Sequence, residues 1–273
     1  MTSQTLIIEA GHAERQYWRD LWKFRELFYF LAWRDFLIRY KQTFVGVAWA
    51  LIRPFLTMLV LTLVMKVGKL PPGGVPTPLF VFVALLPWQF FATAMSESGN
   101  SLVNNSNLIS KIYFPRLVVP AGSVIVSFVD FLISALFLVI LMFYYHFNPP
   151  QQIVFLPCFV LLLFAASLGA GLWIAALMVE YRDFRFIVPF IVQFGLYAAP
   201  VLTMTSHVPE KWRWLYAVNP TVGIIDGFRW CLLGGENKLY STALFLSILV
   251  TAMLFFSGLW FFRKTERSFA DII

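Results

Sequence analysis

The sequence predicts an all-α integral membrane protein, and three observations carry that reading. Of its 273 residues 60% are hydrophobic and only 13% charged, whereas a soluble domain carries about 25% charge. Six apolar stretches are each long enough to cross, or nearly cross, about 30 Å of hydrocarbon. The breaks between them concentrate proline, glycine and charge. In a bilayer only a helix satisfies its backbone within one segment, so the stretches are expected to be helices.

Residues 1–43 form a leader in which Arg15, Arg19, Lys23, Arg25, Arg34, Arg39 and Lys41 alternate with Tyr17, Trp18, Trp22, Phe24, Phe28, Phe30, Trp33 and Phe36. A helix lying in the headgroup region buries such rings while its basic ends reach water and phosphate. Asp35 and Arg39 have the spacing of an i,i+4 pair. No short apolar core precedes a small-residue cleavage site, so the leader is expected to be retained and insertion to be directed by the first span.

Spans are expected at 45–65, 78–96, 118–145, 153–179, 186–204 and 241–262. VGKLPPGGVPT at 67–77 and NPPQQ at 148–152 read as turns outside the hydrocarbon. Residues 97–117 read as a polar loop with an amphipathic helical stretch, and EYRDFR at 180–185 as a charged turn. The region 205–240 interleaves Trp212, Trp214, Tyr216, Phe228 and Trp230 with charge, is split at Asn219-Pro220 and closes on Gly234-Gly235. Two readings stand there: two short amphipathic helices dipping into the outer interface, or an interfacial loop with an aromatic belt.

Orientation follows from Lys and Arg in alternate loops. The set holding the leader, the 97–117 loop, the 180–185 turn and the tail contains fourteen, the other set six. Both termini are thus expected in the cytoplasm, with an even number of spans. The domain organisation expected is a leader at 1–43, a transmembrane domain at 44–262 and a cytoplasmic tail at 263–273.

The net charge of +7 is scattered between apolar runs, which is an orientation signal and not a nucleic-acid patch. Cys158 and Cys231 lie far apart and read as buried free thiols. His12, His146 and His207 are isolated, so neither metal nor acid–base chemistry is indicated. A phosphate loop of GxxxxGK[ST] form is absent, since Gly68-Lys69 lacks its first glycine and its hydroxyl residue. The chain is therefore expected to need no cofactor of its own.

Two charges fall within spans. Asp130 is a functional candidate by its cost, and equally a residue that reaches the interface or pairs with another helix. Arg53, followed by the helix-kinking Pro54, either snorkels to the headgroups or meets an anionic group of a substrate. Trp49, Phe55, Trp88, Phe90, Phe194 and Tyr197 are aromatic candidates for a path on which the apolar C–H faces of sugars slide.

The order of features resembles the permease subunit of ABC-2 type exporters, in particular those for O-antigen, capsule and teichoic acid polymers. The resemblance covers most of the chain from about residue 30. It rests on WRDFLIRYKQTFVGVAWALIRPFL with Gly46, Trp49 and Pro54, on LLPWQFF, on NSNLISKIYFPRLVVP, on EYRDFRFIVPFIVQFGLYAAPV, and on Asn219-Pro220 with Arg229 after it. It implies six transmembrane helices with an N-terminal interfacial helix, a cytoplasmic coupling helix and two short re-entrant helices before the last span. It also implies a homodimer in the bacterial inner membrane, bound to two copies of an ATPase subunit that holds the ATP and Mg.

The segment 98–116 would dock on that ATPase, through Asn100, Leu102, Asn105, Leu108, Lys111, Tyr113 and Arg116. Arg182 and Asp183 would stand at the cytoplasmic entrance, and Trp212, Trp214, Asn219, Pro220 and Arg229 in the outer re-entrant element. Arg53 departs from the apolar or small polar residues the family carries at that place. The function implied is export of a polysaccharide or lipid-linked glycan, with drug or lipid efflux within the same superfamily as the alternative. A polytopic enzyme acting on lipid-linked sugars would need acids, bases or metal ligands at one depth, and the sequence shows no such group.

Overall fold

The computed structural model describes residues 17, 19, 21–41, 46–68, 74–112, 114–205, 208–234, 240–266 and 269. Every regular element among them is helical: α1 (Arg25–Lys41), α2 (Gly46–Val67), α3 (Thr77–Asn104), α4 (Ser106–Ile109) and α5 (Val118–Tyr144). A 3-10 turn (Gln151–Phe155) then leads into α6 (Leu156–Glu180), α7 (Phe184–Ala198), α8 (Glu210–Tyr216), α9 (Pro220–Leu232) and α10 (Ser241–Thr265).

Five of these elements, α2, α3, α5, α6 with its leading turn, and α10, are long and apolar enough to cross a membrane. With the family assignment given below, they make the chain a multi-pass membrane protein. The stretch 186–204, expected as the fifth of six stretches that cross or nearly cross, folds as the 15-residue α7, which covers about 22 Å at 1.5 Å per residue. Its end is set by Pro200, because a proline pushes the preceding residue out of the helical region. Ala199 is accordingly extended, at φ −91° and ψ 151°.

Proline and asparagine set other boundaries too. Pro78 lies in the first turn of α3, where a missing N–H costs nothing. Asn219 caps α9 by accepting from the Thr221 N–H at 3.1 Å, with Pro220 as the first helical residue. Gly234, at φ +56°, closes α9 by donating its N–H to the Arg229 carbonyl at 3.2 Å, the left-handed stop that glycine adopts without strain. His146 does the same for α5 at φ 51°, and the Phe147 N–H returns to the Met142 carbonyl at 2.9 Å.

The centre of the bundle is α3. Nearly its whole membrane-depth window is buried, 83% against 17–33% for the other four long helices, because α2, α5, α6 and α9 all pack on it. The loop expected at 97–117 is shorter than its sequence suggests, since α3 continues to Asn104 and only α4 and a few turns separate it from α5. In the region 205–240, α8 and α9 are helices, but α9 does not lie on a surface. Eleven of its thirteen residues are buried against α3, α6 and α10, so its aromatic and charged residues serve packing inside the protein rather than an interface.

Lipid supplies no hydrophobic drive between helices, so close approach depends on small residues. A Cβ at Gly169 in α6 would meet the backbone N of Phe255 in α10 at 2.6 Å, and one at Gly258 would meet the Gly169 carbonyl. Backbone cannot yield as a side-chain tip does. Gly169→Val is therefore expected to part α6 from α10 and to lower the amount of folded protein in the membrane at least several-fold. Fluorescence-detected size-exclusion chromatography checks this, and a wild-type peak would contradict it.

Candidate functional site

At the leader end of the bundle α1 lies across α5, α3 and α2, and charge holds it there. The Arg39 guanidinium donates to Asp130 Oδ2 at 2.6 Å and reaches Glu97 Oε1 at 2.8 Å. The Tyr40 hydroxyl donates to the other Asp130 oxygen. Burial, and then its bond to Asp130, raise the Tyr40 phenol well above its ordinary range, so it remains a donor. One turn earlier Arg34 donates to Asp35 at 2.7 Å and to Asn105 Oδ1 at 2.6 Å.

This arrangement corrects the i,i+4 pairing expected on α1. Asp35 takes Arg34, and Arg39 turns toward Glu97 and Asp130, where two carboxylates together hold one guanidinium more strongly than the single carboxylate of Asp35, already paired with Arg34, can. Of the two readings of Asp130, the pairing with another helix is the one the geometry displays.

The Arg39 clamp closes one end of a cleft of about 550 Å³ between α1, α2, α3, α5 and α7, a size ordinary for a small-molecule site. Trp49, Arg53, Trp88, Phe90 and Tyr197 line it. Phe55 and Phe194 do not: Phe55 sits edge-on to Phe137 at 5.8 Å, and Phe194 packs on Phe190 at 4.2 Å. Arg53 has no ion pair among the described residues. Several hydroxyls of the wall are spent on their own or a neighbouring helix, Thr57 on the Arg53 carbonyl at 2.9 Å and Ser127 on that of Ser123 at 3.0 Å. Gln89 and Gln193, which also line the cleft, escape a search for charge and aromatics because an amide is neither.

The segment after α3 is anchored from two sides. Asn105 is held by Arg34, and Asn100 donates to the Ser96 carbonyl at 2.9 Å. Leu102 is fully buried, and Leu108 packs on the same small core. The Arg116 N–H donates to Glu266 Oε1 at 2.7 Å, and its guanidinium to the Glu266 carbonyl. What remains on the surface is the tip with Asn104, Asn107, Ser110, Lys111 and Ile112. Of the residues expected to meet a partner, only Lys111 points outward; Tyr113 lies outside the described residues. Arg182 and Asp183 are exposed in the turn before α7 and join neither the clamp nor the cleft.

At the opposite end Arg229 is fully buried. Its guanidinium donates to the Val201 and Thr203 carbonyls, both at 2.8 Å, and lies 3.9 Å from the Phe80 ring centre. It thereby pins the turns after α7 to the centre of the bundle. Asn219 and Pro220 form the α8–α9 junction, while Trp212 and Trp214 are exposed on α8. Among the described residues no three His, Cys, Asp or Glu side chains converge to hold a metal.

Comparison with known proteins adds two findings. A family model described as ABC-2 type transporter matches residues 26–233. An O-antigen export system permease protein RfbA of Myxococcus xanthus is 27% identical over 259 residues, which is 93% of this chain and 98% of that one. Two proteins of the same name from Klebsiella pneumoniae are 27% and 26% identical over 246 and 245 residues, each 88% of this chain and 92% of theirs.

The clamp and the anchor generate two expectations. Arg39→Gln leaves two carboxylates facing each other, so it should destabilise more than Arg39→Gln with Asp130→Asn together. Breaking a buried pair from one side costs about 3–5 kcal/mol, and this partly exposed one correspondingly less. Thermal melts of the two variants in detergent measure the difference, and equal melts would deny the pairing. Burial raises the Glu266 carboxyl, with Arg116 and Tyr17 only partly offsetting it. A carboxyl raised on folding favours the folded state in its protonated form, and that contribution declines as pH climbs through the carboxylate range. Glu266→Gln keeps the acceptor and cannot ionise. It should be at least as heat-resistant as the native chain at pH 8, whereas Glu266→Leu should melt lower at every pH.

Proposed function

The chain belongs to the ABC-2 type transporter family, and on that premise we propose that it is the permease subunit of an exporter of polysaccharide or lipid-linked glycan of the O-antigen kind. The observation that carries this reading is end-to-end similarity to relatives named as O-antigen export permeases, 93% of this chain against 98% of the Myxococcus one. The cleft supports it, with rings, amides and one unpaired guanidinium at a depth where a purely structural helix bundle would be apolar.

In this reading the chain supplies no bond-making group. Energy enters through a separate ATPase subunit that binds ATP and Mg, docked on the exposed tip around Asn107, Lys111 and Ile112. ATP binding moves that tip, and α1, tied to it through Arg34 and Asn105, carries the motion to the Arg39 clamp at the mouth of the cleft. Two states that bind the polymer differently then do the transport work.

Six crossings are completed by α7 together with the turns at 199–205 that Arg229 holds. An even count agrees with the fourteen-to-six bias of Lys and Arg and places both termini in the cytoplasm of a bacterial inner membrane. The domain limits are 1–43 for the leader, 44–262 for the transmembrane part and 263–273 for the tail. The active form is a homodimer with two ATPase subunits, and α8 and α9 form a re-entrant element at its outer mouth.

Expression of the chain together with an O-antigen exporter ATPase subunit from the same organism, in cells lacking their own glycan permease, tests the assignment. Surface glycan should return with the native pair, and Lys111→Glu with Ile112→Asp should cut it at least ten-fold without lowering permease in the membrane. Failure of the native pair, or labelling of a cysteine at 111 by an impermeant reagent from outside the cell, would overturn the reading.

A further inference from the structure

Gln89 and Gln193 both line the cleft, one on α3 and one on α7, and neither amide has a hydrogen-bond partner among the described residues. Their depth is fixed by helix arithmetic. Gln89 lies twelve residues into α3, about 18 Å from its far end, and Gln193 nine residues into α7, about 14 Å from its leader end. In a core of about 30 Å both positions fall near the middle, on two walls of the same cleft. Trp88, next to Gln89, packs its ring against Gly195, where any Cβ would collide with it, so the two walls are held at a fixed spacing.

An unsatisfied amide at mid-membrane depth costs free energy unless water or a ligand completes it. Acyl chains offer no partner, and a lipid headgroup sits at the interface and not at this depth. Each amide presents a donor and an acceptor side by side, which is the pattern complementary to hydroxyls on neighbouring ring carbons. The exposed rings of Trp49 and Tyr197 stand in the same cleft and suit the C–H faces of such rings.

We propose that Gln89 and Gln193 form a hydroxyl-reading pair that contacts the sugar units of the glycan as it passes mid-membrane. The proposal rests on the export reading above and adds to it the point of contact. An uncharged pair fits a polymer that must keep moving, because neutral hydrogen bonds to a hydroxyl are readily exchanged for water, whereas a charged pair at this depth would hold its ligand.

The test uses the full chain with its ATPase in glycan-producing cells. Gln89→Met and Gln193→Met keep the side-chain length and remove the hydrogen bonds; each should lower surface glycan about three- to ten-fold, and the double variant more, at unchanged permease level. In a background of Cys158→Ala and Cys231→Ala, Gln193→Cys should react with a hydrophilic maleimide. The reaction should slow at least three-fold in cells that make the glycan compared with cells that cannot.

Full export by the double Met variant, or equal labelling with and without glycan, would show water alone in the cleft and overturn the proposal. A disulfide-linked dimer through position 193, shielded whether or not glycan is made, would assign the amides to a contact between two copies and overturn it as well. Where a Met variant is lost from the membrane, the labelling decides. Absence of export by the native pair would instead strike the function itself, while labelling of position 193 still reports whether the cleft is wet.

Discussion

Hydrocarbon accepts no hydrogen bonds, and the described spans show several polar groups arranged around that constraint. The helices answer it for the backbone. Side chains answer it in three ways: serines and threonines bond back to carbonyls of their own helix, as Ser167 does to Leu163 at 2.8 Å; Arg229 spends its guanidinium on two carbonyls that the break after α7 leaves open; and Arg39 shares one cation between Glu97 and Asp130. After these are subtracted, Arg53, Gln89 and Gln193 are left in the cleft, while the hydroxyls of Thr62, Ser98 and Thr251 are left without a partner inside the packed bundle.

The same constraint organises the leader end. Aromatic and apolar contacts alone leave the register of α1 against the bundle loosely set. The bonds of Arg34, Arg39 and Tyr40 fix it, at Asn105, Glu97 and Asp130. Since Arg34 and Arg39 are five residues apart on one rigid helix, the segment that follows α3 and the mouth of the cleft are held by a common strut. Glu266 fixes the other flank of that segment through Arg116. Its tip is therefore presented outward on a braced base.

Legibility from sequence followed the range of the interaction. The five long helices were readable because twenty consecutive apolar residues are a local property, and the splits at Asn219-Pro220 and after Gly234 because caps and stops are local too. The length of α7 was not, since its apolar run continues past Ala198 and only Pro200, an ambiguous signal inside a span, ends it. Burial of α9 was missed for the opposite reason: its composition is amphipathic, and only the packing of α3, α6 and α10 around it shows that Arg229 is an internal strut. The partner of Arg39 was unreadable in principle, because Asp35, Glu97 and Asp130 are equally acidic in the sequence and differ only in where the fold puts them.

The placement of charge along the cleft also bears on what it can carry. At the mouth one guanidinium faces two carboxylates, which leaves that end acidic by one charge, and Arg53 further along α2 restores neutrality to the whole. A cleft that is neutral overall does not concentrate anions, so it selects by shape and hydrogen bonding rather than by net field. For a long uncharged chain that is an advantage. In the proposed export reading, each repeat unit would meet the same few rings and amides, gain and lose similar contacts as it advances, and find no single site deep enough to stop it. In that reading direction would come from outside the cleft, through the braced tip and the strut that joins it to the mouth.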